Sequence, residues 1–257
     1  MNPVLRHYSV MPVVRLIAAG CAAALVAGCA TTTPPENPQA AAERYRSVIA
    51  SPIRTDQDRQ MDAVRHPAEF LPFTQAKPGM EVLDVATGGG YTSQLLALAV
   101  APGGMLWAQS PQPGTALTKR LADQPQADFV IVARPFEDPV LPELLGKLDL
   151  ITIVLNYHDI SYLPVDRAKM NRNLYAGLKP GGHLVIVDHS AKAGTGITAG
   201  KTLHRIDESV VLTEVRAAGF VLEAQGDFLR NPADTREESS NQPKVPTDKF
   251  ALRFVKP

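Results

Sequence analysis

The sequence predicts a single α/β domain, a mostly parallel sheet with helices on both faces. Three observations carry that prediction. Strand-like and helix-like segments alternate along the chain, each closed by glycine or proline turns. Leu148 to Leu155 is nearly all apolar, as a strand covered on both faces must be. Glu81 to Tyr91 runs from a short apolar strand straight into Gly88, Gly89 and Gly90, and a helical pattern with Leu95, Leu96, Leu98 and Val100 follows. Strand, glycine turn and helix in that order suit a nucleotide-type ligand. The glycines let backbone approach the ligand, and the helix start offers unpaired N–H groups.

The elements follow in order. Residues 41–50 have a helical composition, and the charge-rich stretch from Ser51 to Arg65 is helical in part, either as a solvated face or as a lid over the ligand site. His66-Pro67 opens a short helix, with proline suited to the first turn. After the glycine helix, Ala101-Pro-Gly-Gly104 breaks the chain before a strand from Met105 to Gln109. A helix over Thr115 to Ala122 and a strand over Asp128 to Ala133 come next. Arg167 to Leu178 reads as a helix stopped by Lys179-Pro-Gly-Gly182, with His183 to Val187 as the fifth strand. A helix over Asp207 to Ala218 precedes Gly219, and Val221 to Ala224 and Phe250 to Val255 close the sheet. The polar stretch between them, Arg230 to Asp248, is expected as a disordered or site-covering loop.

Composition limits the function classes. The chain has 257 residues, 45% apolar and 20% charged, the balance of an ordinary globular protein. Two of its 26 basic residues precede residue 29, which leaves 24 against 26 acidic ones, and no nucleic-acid surface is expected. At the N-terminus, Arg6 and Arg15 precede an apolar run from Leu16 to Val26 that is shorter than the roughly 20 residues of a membrane span. The run ends in Leu25-Val-Ala-Gly-Cys29, which resembles the lipobox of bacterial lipoproteins. That resemblance implies a signal peptide over residues 1–28, lipidation of Cys29, a membrane-attached tether over residues 29–50 and a periplasmic domain over 51–257. Both cysteines lie at or before residue 29, so disulfides, cysteine metal sites and a cysteine nucleophile are excluded from the domain.

The glycine loop admits three ligand readings. A P-loop needs a lysine after its last glycine, and none follows Gly90. A dinucleotide loop fits Gly88 and Gly90 but finds Ser93 in its third position. Leu83-Asp-Val-Ala-Thr-Gly-Gly-Gly90 resembles the first motif of class I S-adenosylmethionine-dependent methyltransferases, and the turn at Lys77, Asn156 after the fourth strand and Leu178-Lys-Pro-Gly-Gly182 agree with it. The set His66-Pro-Ala-Glu69, Gly194-Thr-Gly196, His204-Arg-Ile-Asp207 and Thr247-Asp-Lys-Phe250 resembles a bacterial group of predicted methyltransferases more specifically.

The resemblance implies a Rossmann-like methyltransferase fold with a seven-stranded sheet, S-adenosylmethionine as cofactor and a small-molecule acceptor. It places the cofactor on Asp84, Gly88, Gly89, Gly90, Glu137 and Asn156. Gln109 stands where the family has an acid for the ribose hydroxyls. Methyl acceptors sit over the strand ends, which makes Tyr157, His158, Asp188 and His189 the catalytic candidates, with His158 first as a base. No metal is expected, because His158, Asp188, His189, His204 and Asp207 show no close ligand spacing beyond the adjacent Asp188-His189. Export and the missing acid leave a second function open: a non-catalytic periplasmic lipoprotein that binds a ligand or protein partner.

Overall fold

In the computed structural model, which describes residues 37–257, three helices precede the sheet. Helices α1 (Pro38–Ile49), α2 (Asp56–Arg65) and α3 (Pro67–Thr74) lead into β1 (Glu81–Val85) and α4 (Tyr91–Val100). Then come β2 (Met105–Gln109), α5 (Thr115–Asp123), β3 (Phe129–Val132), β4 (Leu148–Val154), α6 (Tyr157–Tyr162) and α7 (Arg167–Gly177). The chain ends with β5 (Leu178–His189), α8 (Gly200–Leu203), α9 (Glu208–Ala217), β6 (Val221–Gly226) and β7 (Lys249–Val255).

The seven strands form one sheet in the order β3-β2-β1-β4-β5-β7-β6, parallel except for β7, which runs antiparallel to both neighbours. The expected Rossmann-like sheet is therefore present. Its strand order reverses between β1 and β4, the switch point where open α/β sheets receive ligands. Alternation within the strands serves two cores. Leu83, Val85, Ile151, Ile153, Leu184 and Ile186 face α6, α7 and α9, while Val82, Leu150, Val185 and Val187 face α1, α3 and α4.

Two boundaries differ from the sequence reading. Residues 38–49 are not tether: Tyr45 and Val48 are buried in the second core, and the Tyr45 hydroxyl donates to the Ala76 carbonyl at 2.9 Å. Pro38 at the helix start and the Asn37 cap accepting from the Gln39 N–H at 2.9 Å set where that helix begins. Leu178-Lys-Pro-Gly-Gly182 is not a turn before the fifth strand but the beginning of it, with Gly181 at φ 79° absorbing the irregularity. The proposed signal peptide and Cys29 lie outside the described residues. Among the described residues, no helix is long and apolar enough to cross a membrane.

The Arg230–Asp248 stretch is folded back on the domain around one buried cation. Arg205, fully buried, donates to Asp234 at 2.7 and 3.1 Å, to the Glu238 carbonyl at 2.8 Å and to the Ser190 carbonyl at 3.0 Å. Asp234 also accepts from the Asp248 N–H at 2.6 Å, which ties the far end of the loop to the same pair. Arg205 thus fixes this loop, while the Gly194 N–H donates to Asp207 at 2.6 Å.

Candidate functional site

Two strained turns stand at the ends of β1 and β4. Ala86 and Leu155 both have left-handed backbones, at φ 58° and 57°, a conformation that costs a non-glycine residue about 1–2 kcal/mol. Asn156 bridges them, its amide donating to the Ala86 and Val154 carbonyls at 2.9 Å each. The glycine loop rises from Ala86 and closes on α4, with Gly90 at φ 83° as the helix cap. Between this loop, α2 and the end of β4 lies a cleft of about 500 Å³ lined by Thr87, Gly88, Gly89, Tyr91, Asn156, Asp58, Met61 and Arg65.

Three features show room for a polar ligand. A side chain at Gly88 would meet nothing within 4 Å. Among the described residues the buried Thr87 hydroxyl finds no hydrogen-bond partner, a costly state unless something supplies one. Arg65 lines the cleft with its guanidinium 5.8 Å from the Tyr91 ring centroid and forms no hydrogen bond or ion pair among the described residues. Burial holds its pKa below the ordinary arginine value, against the charges of Asp84 and Asp188.

The lid reading of Ser51 to Arg65 has a structural counterpart in α2. Arg120 on α5 donates to both Asp58 oxygens at 2.8 Å and to the Gly89 carbonyl at 3.0 Å, latching α2 to the glycine loop. Tyr91 donates to Asp62 at 2.6 Å beside it. Asp58 also caps its own helix with Thr55. Asp58→Ala is expected to speed amide exchange in α2 by at least about tenfold, since a hydrogen bond to a charged group contributes about 1.5–3 kcal/mol. Unchanged exchange would mean that the latch holds nothing.

The expected cofactor residues divide. Gly88, Gly89 and Asn156 line the cleft, whereas Gly90 lies below it against Leu117 and Arg120. Asp84 sits under the loop, where its oxygens accept from Ser93 and Thr152 at 2.6 Å each, so it makes no direct surface for a ligand. Thr152 is its in-register neighbour on β4, which is why the pair forms. Gln109 requires a correction. It is fully buried, its oxygen accepting from the Ala86 N–H at 3.2 Å and its amide donating to the Arg134 carbonyl at 2.5 Å. It staples the ends of β1 and β3 together and offers nothing to a ribose. Glu137 lies outside the cleft lining, and its carbonyl accepts from Asn173 at 2.7 Å.

Burial pushes the Asp84 carboxyl up to about 6, while Ser93, Thr152 and Arg65 hold it down. A carboxyl raised from 3.8 to about 6 binds its proton more tightly in the folded chain, so folding stability is present below the lower value and falls as pH rises through the upper one. Across pH 4 to 7, urea unfolding should therefore show wild type losing about 2 kcal/mol relative to Asp84→Asn. Parallel pH profiles would contradict the buried carboxyl.

The catalytic candidates also divide. Tyr157 turns into the core, fully buried, donating to Glu214 at 2.8 Å and accepting from Asn171 at 2.8 Å. It does not reach the strand-end surface. His158, Asp188 and His189 do come together. The His158 ring Nδ1–H donates to Asp188 at 2.6 Å, and Asp188 also accepts the backbone N–H groups of His158 and His189 at 2.8 Å. Burial opposes charge on His158, but Asp188 and Asp159 outweigh it and raise its pKa to about 9. His189 shares a hydrogen bond with Thr247 at 2.9 Å, and burial, with Lys249 and His158 nearby, drives its pKa to about 2. The two rings lie 5.8 Å apart, and their surroundings push one imidazole up and the other down.

Sequence reasoning missed Thr87, Arg65 and Arg120 as site residues. Thr87 stood inside the recognised motif and Arg65 inside the charge-rich stretch offered as a lid, but nothing local marked Arg120, whose role depends on where helices meet.

No family model and no curated protein matches the chain. Solved structures do match its fold. An S-adenosylmethionine-dependent methyltransferase from Aquifex aeolicus aligns with a TM-score of 0.58 at 18% identity, over 77% of this chain and 93% of the other. The N-methyltransferase NodS from Bradyrhizobium japonicum aligns with a TM-score of 0.54 at 17% identity, over 77% and 97%. The [4+2]-cyclase SpnF aligns with a TM-score of 0.55 at 15% identity, over 78% and 81%. The chain therefore has the Rossmann-like methyltransferase fold.

Proposed function

We propose that the protein is an S-adenosylmethionine-dependent methyltransferase acting on a small-molecule acceptor. The cleft over the glycine loop carries this reading: a Thr87 hydroxyl and an Arg65 guanidinium, neither hydrogen-bonded among the described residues, line a space that glycines keep open. Thr87, Gly88, Gly89 and Asn156 would hold the cofactor, and Arg65 suits the carboxylate at its methionine end. The bound cofactor would supply an electrophilic methyl group. The chain's own work is to align the acceptor and exclude water, with α2 closing the cleft through the Asp58–Arg120 latch. Incubating the purified chain with methyl-labelled S-adenosylmethionine and a cell-envelope extract should move label into the small-molecule fraction. Label that stays on the cofactor with every extract would count against the reading.

A second reading has one observation in its favour. Gln109 replaces the ribose-binding acid and is wholly committed to backbone, so the cleft lacks a charge-assisted contact there. A [4+2]-cyclase shares the fold, so the fold by itself does not fix methyl transfer. On this reading the domain is a non-catalytic lipoprotein that binds a ligand or partner. Retention of an envelope small molecule, with neither S-adenosylmethionine nor its demethylated product bound, would favour it.

Both readings place the domain in the bacterial periplasm, held to a membrane by lipidated Cys29. Cys29→Ser should shift the protein from the membrane to the soluble fraction. A soluble wild type would end the anchoring proposal.

A further inference from the structure

Beside the cleft, three side chains from two distant segments meet. His158 and Asp159 begin α6, and His204 caps α8 with a left-handed backbone at φ 51°. The Asp159 carboxylate lies 3.3 Å from Nε2 of His158 and 3.0 Å from Nδ1 of His204. The three donor atoms all fall within 4.8 Å of one another. Two donors that share one ion at about 2.0–2.2 Å stand about 3–3.5 Å apart, so both short separations already match a common ligand shell.

The surroundings fit as well. Asp188 accepts the other ring nitrogen of His158 at 2.6 Å, the carboxylate–histidine support that orients metal-ligating imidazoles. Tyr162 donates to Asp159 at 2.9 Å and fixes the carboxylate. His158 is buried, with 4% of its side chain exposed, while Asp159 and His204 are open at 35% and 27%. One wall of the cluster is thus buried, and the other is open to solvent.

We propose that His158, Asp159 and His204 bind a divalent transition-metal ion. Two imidazoles and one carboxylate favour ions of borderline softness, such as Zn2+, Fe2+ or Co2+, over Mg2+ or Ca2+. Three protein ligands leave positions open for water or for an oxygen or nitrogen of a bound molecule. The site stands apart from the glycine loop in its ligands, and its binding of metal does not depend on whether a cofactor occupies the cleft. The sequence hid it because His204 lies 45 residues from Asp159.

The test uses the purified full-length chain, stripped with chelator and titrated with Co2+, whose visible bands report ligation directly. Wild type should bind one Co2+ per chain, and Zn2+ should displace it. His204→Gln and Asp159→Asn, both partly exposed, should remain folded without metal, as far-UV circular dichroism reads it. Each should lose at least about tenfold in Co2+ affinity. Absence of Co2+ bands from wild type would overturn the proposal, and so would equal binding by wild type and both variants.

Discussion

Arg205→Met is expected to lower folding stability by about 3–5 kcal/mol, the range for removing one partner of a buried ion pair. The substitution strands Asp234, 9% exposed, without its cation and leaves the Ser190 and Glu238 carbonyls without their donor. The loss should not stay local. Ser240 donates to the Leu203 and His204 carbonyls at 2.9 and 3.0 Å, so release of the 230–248 segment also frees the residue that carries His204. Denaturant unfolding and limited proteolysis should report together, with the first cuts in that segment. Adding Asp234→Leu to Arg205→Met should recover part of the stability, because replacing both partners removes the unpaired charge. A near-neutral Arg205→Met would mean that the segment is held by something other than this pair.

The second large effect separates two neighbouring glycines. At Gly90, φ is 83°, and an added Cβ would lie 2.8 Å from Leu117 and 3.2 Å from the Arg120 side chain. Gly90→Ala should therefore cost about 1–3 kcal/mol and push α5 and its latch off the loop. At Gly88, φ is 54°, but nothing lies within 4 Å of the added carbon. Gly88→Ala should cost about 1 kcal/mol for its backbone and place a methyl group in the open cleft. Stability should fall more in the first variant, while ligand binding should fall in both. Thermal unfolding and calorimetry on the pair distinguish a loop that is only structural from one that receives a ligand.

Much of the fold was legible because its signals are local. An apolar run bounded by turns marks β4, the Asp84-to-Gly90 stretch marks β1 and its loop, and Met105 to Gln109 matches β2 residue for residue. The site was less legible because its roles depend on direction and distance. Tyr157 and His158 are adjacent in sequence, yet the tyrosine enters the core and reaches Glu214, 57 residues away. Gln109 occupies the expected strand end, but only the sheet shows its amide already spent on Ala86 and Arg134. The Asp58–Arg120 latch joins residues 62 apart, and no pattern within either helix announces it. The charge-rich stretch is compatible with a solvated face or a lid, and α2 has features of both: Asp56, Arg59 and Gln60 are exposed while Asp58, Met61 and Arg65 line the cleft.

The most direct test is calorimetric titration of the purified chain with S-adenosylmethionine and its demethylated product, with Gly88→Ala and Arg65→Ala alongside. The account predicts saturable binding to wild type, lost in Gly88→Ala and weakened about tenfold or more in Arg65→Ala, whose guanidinium would lose a charge-assisted contact. A wild-type chain that is folded and binds neither compound would contradict it.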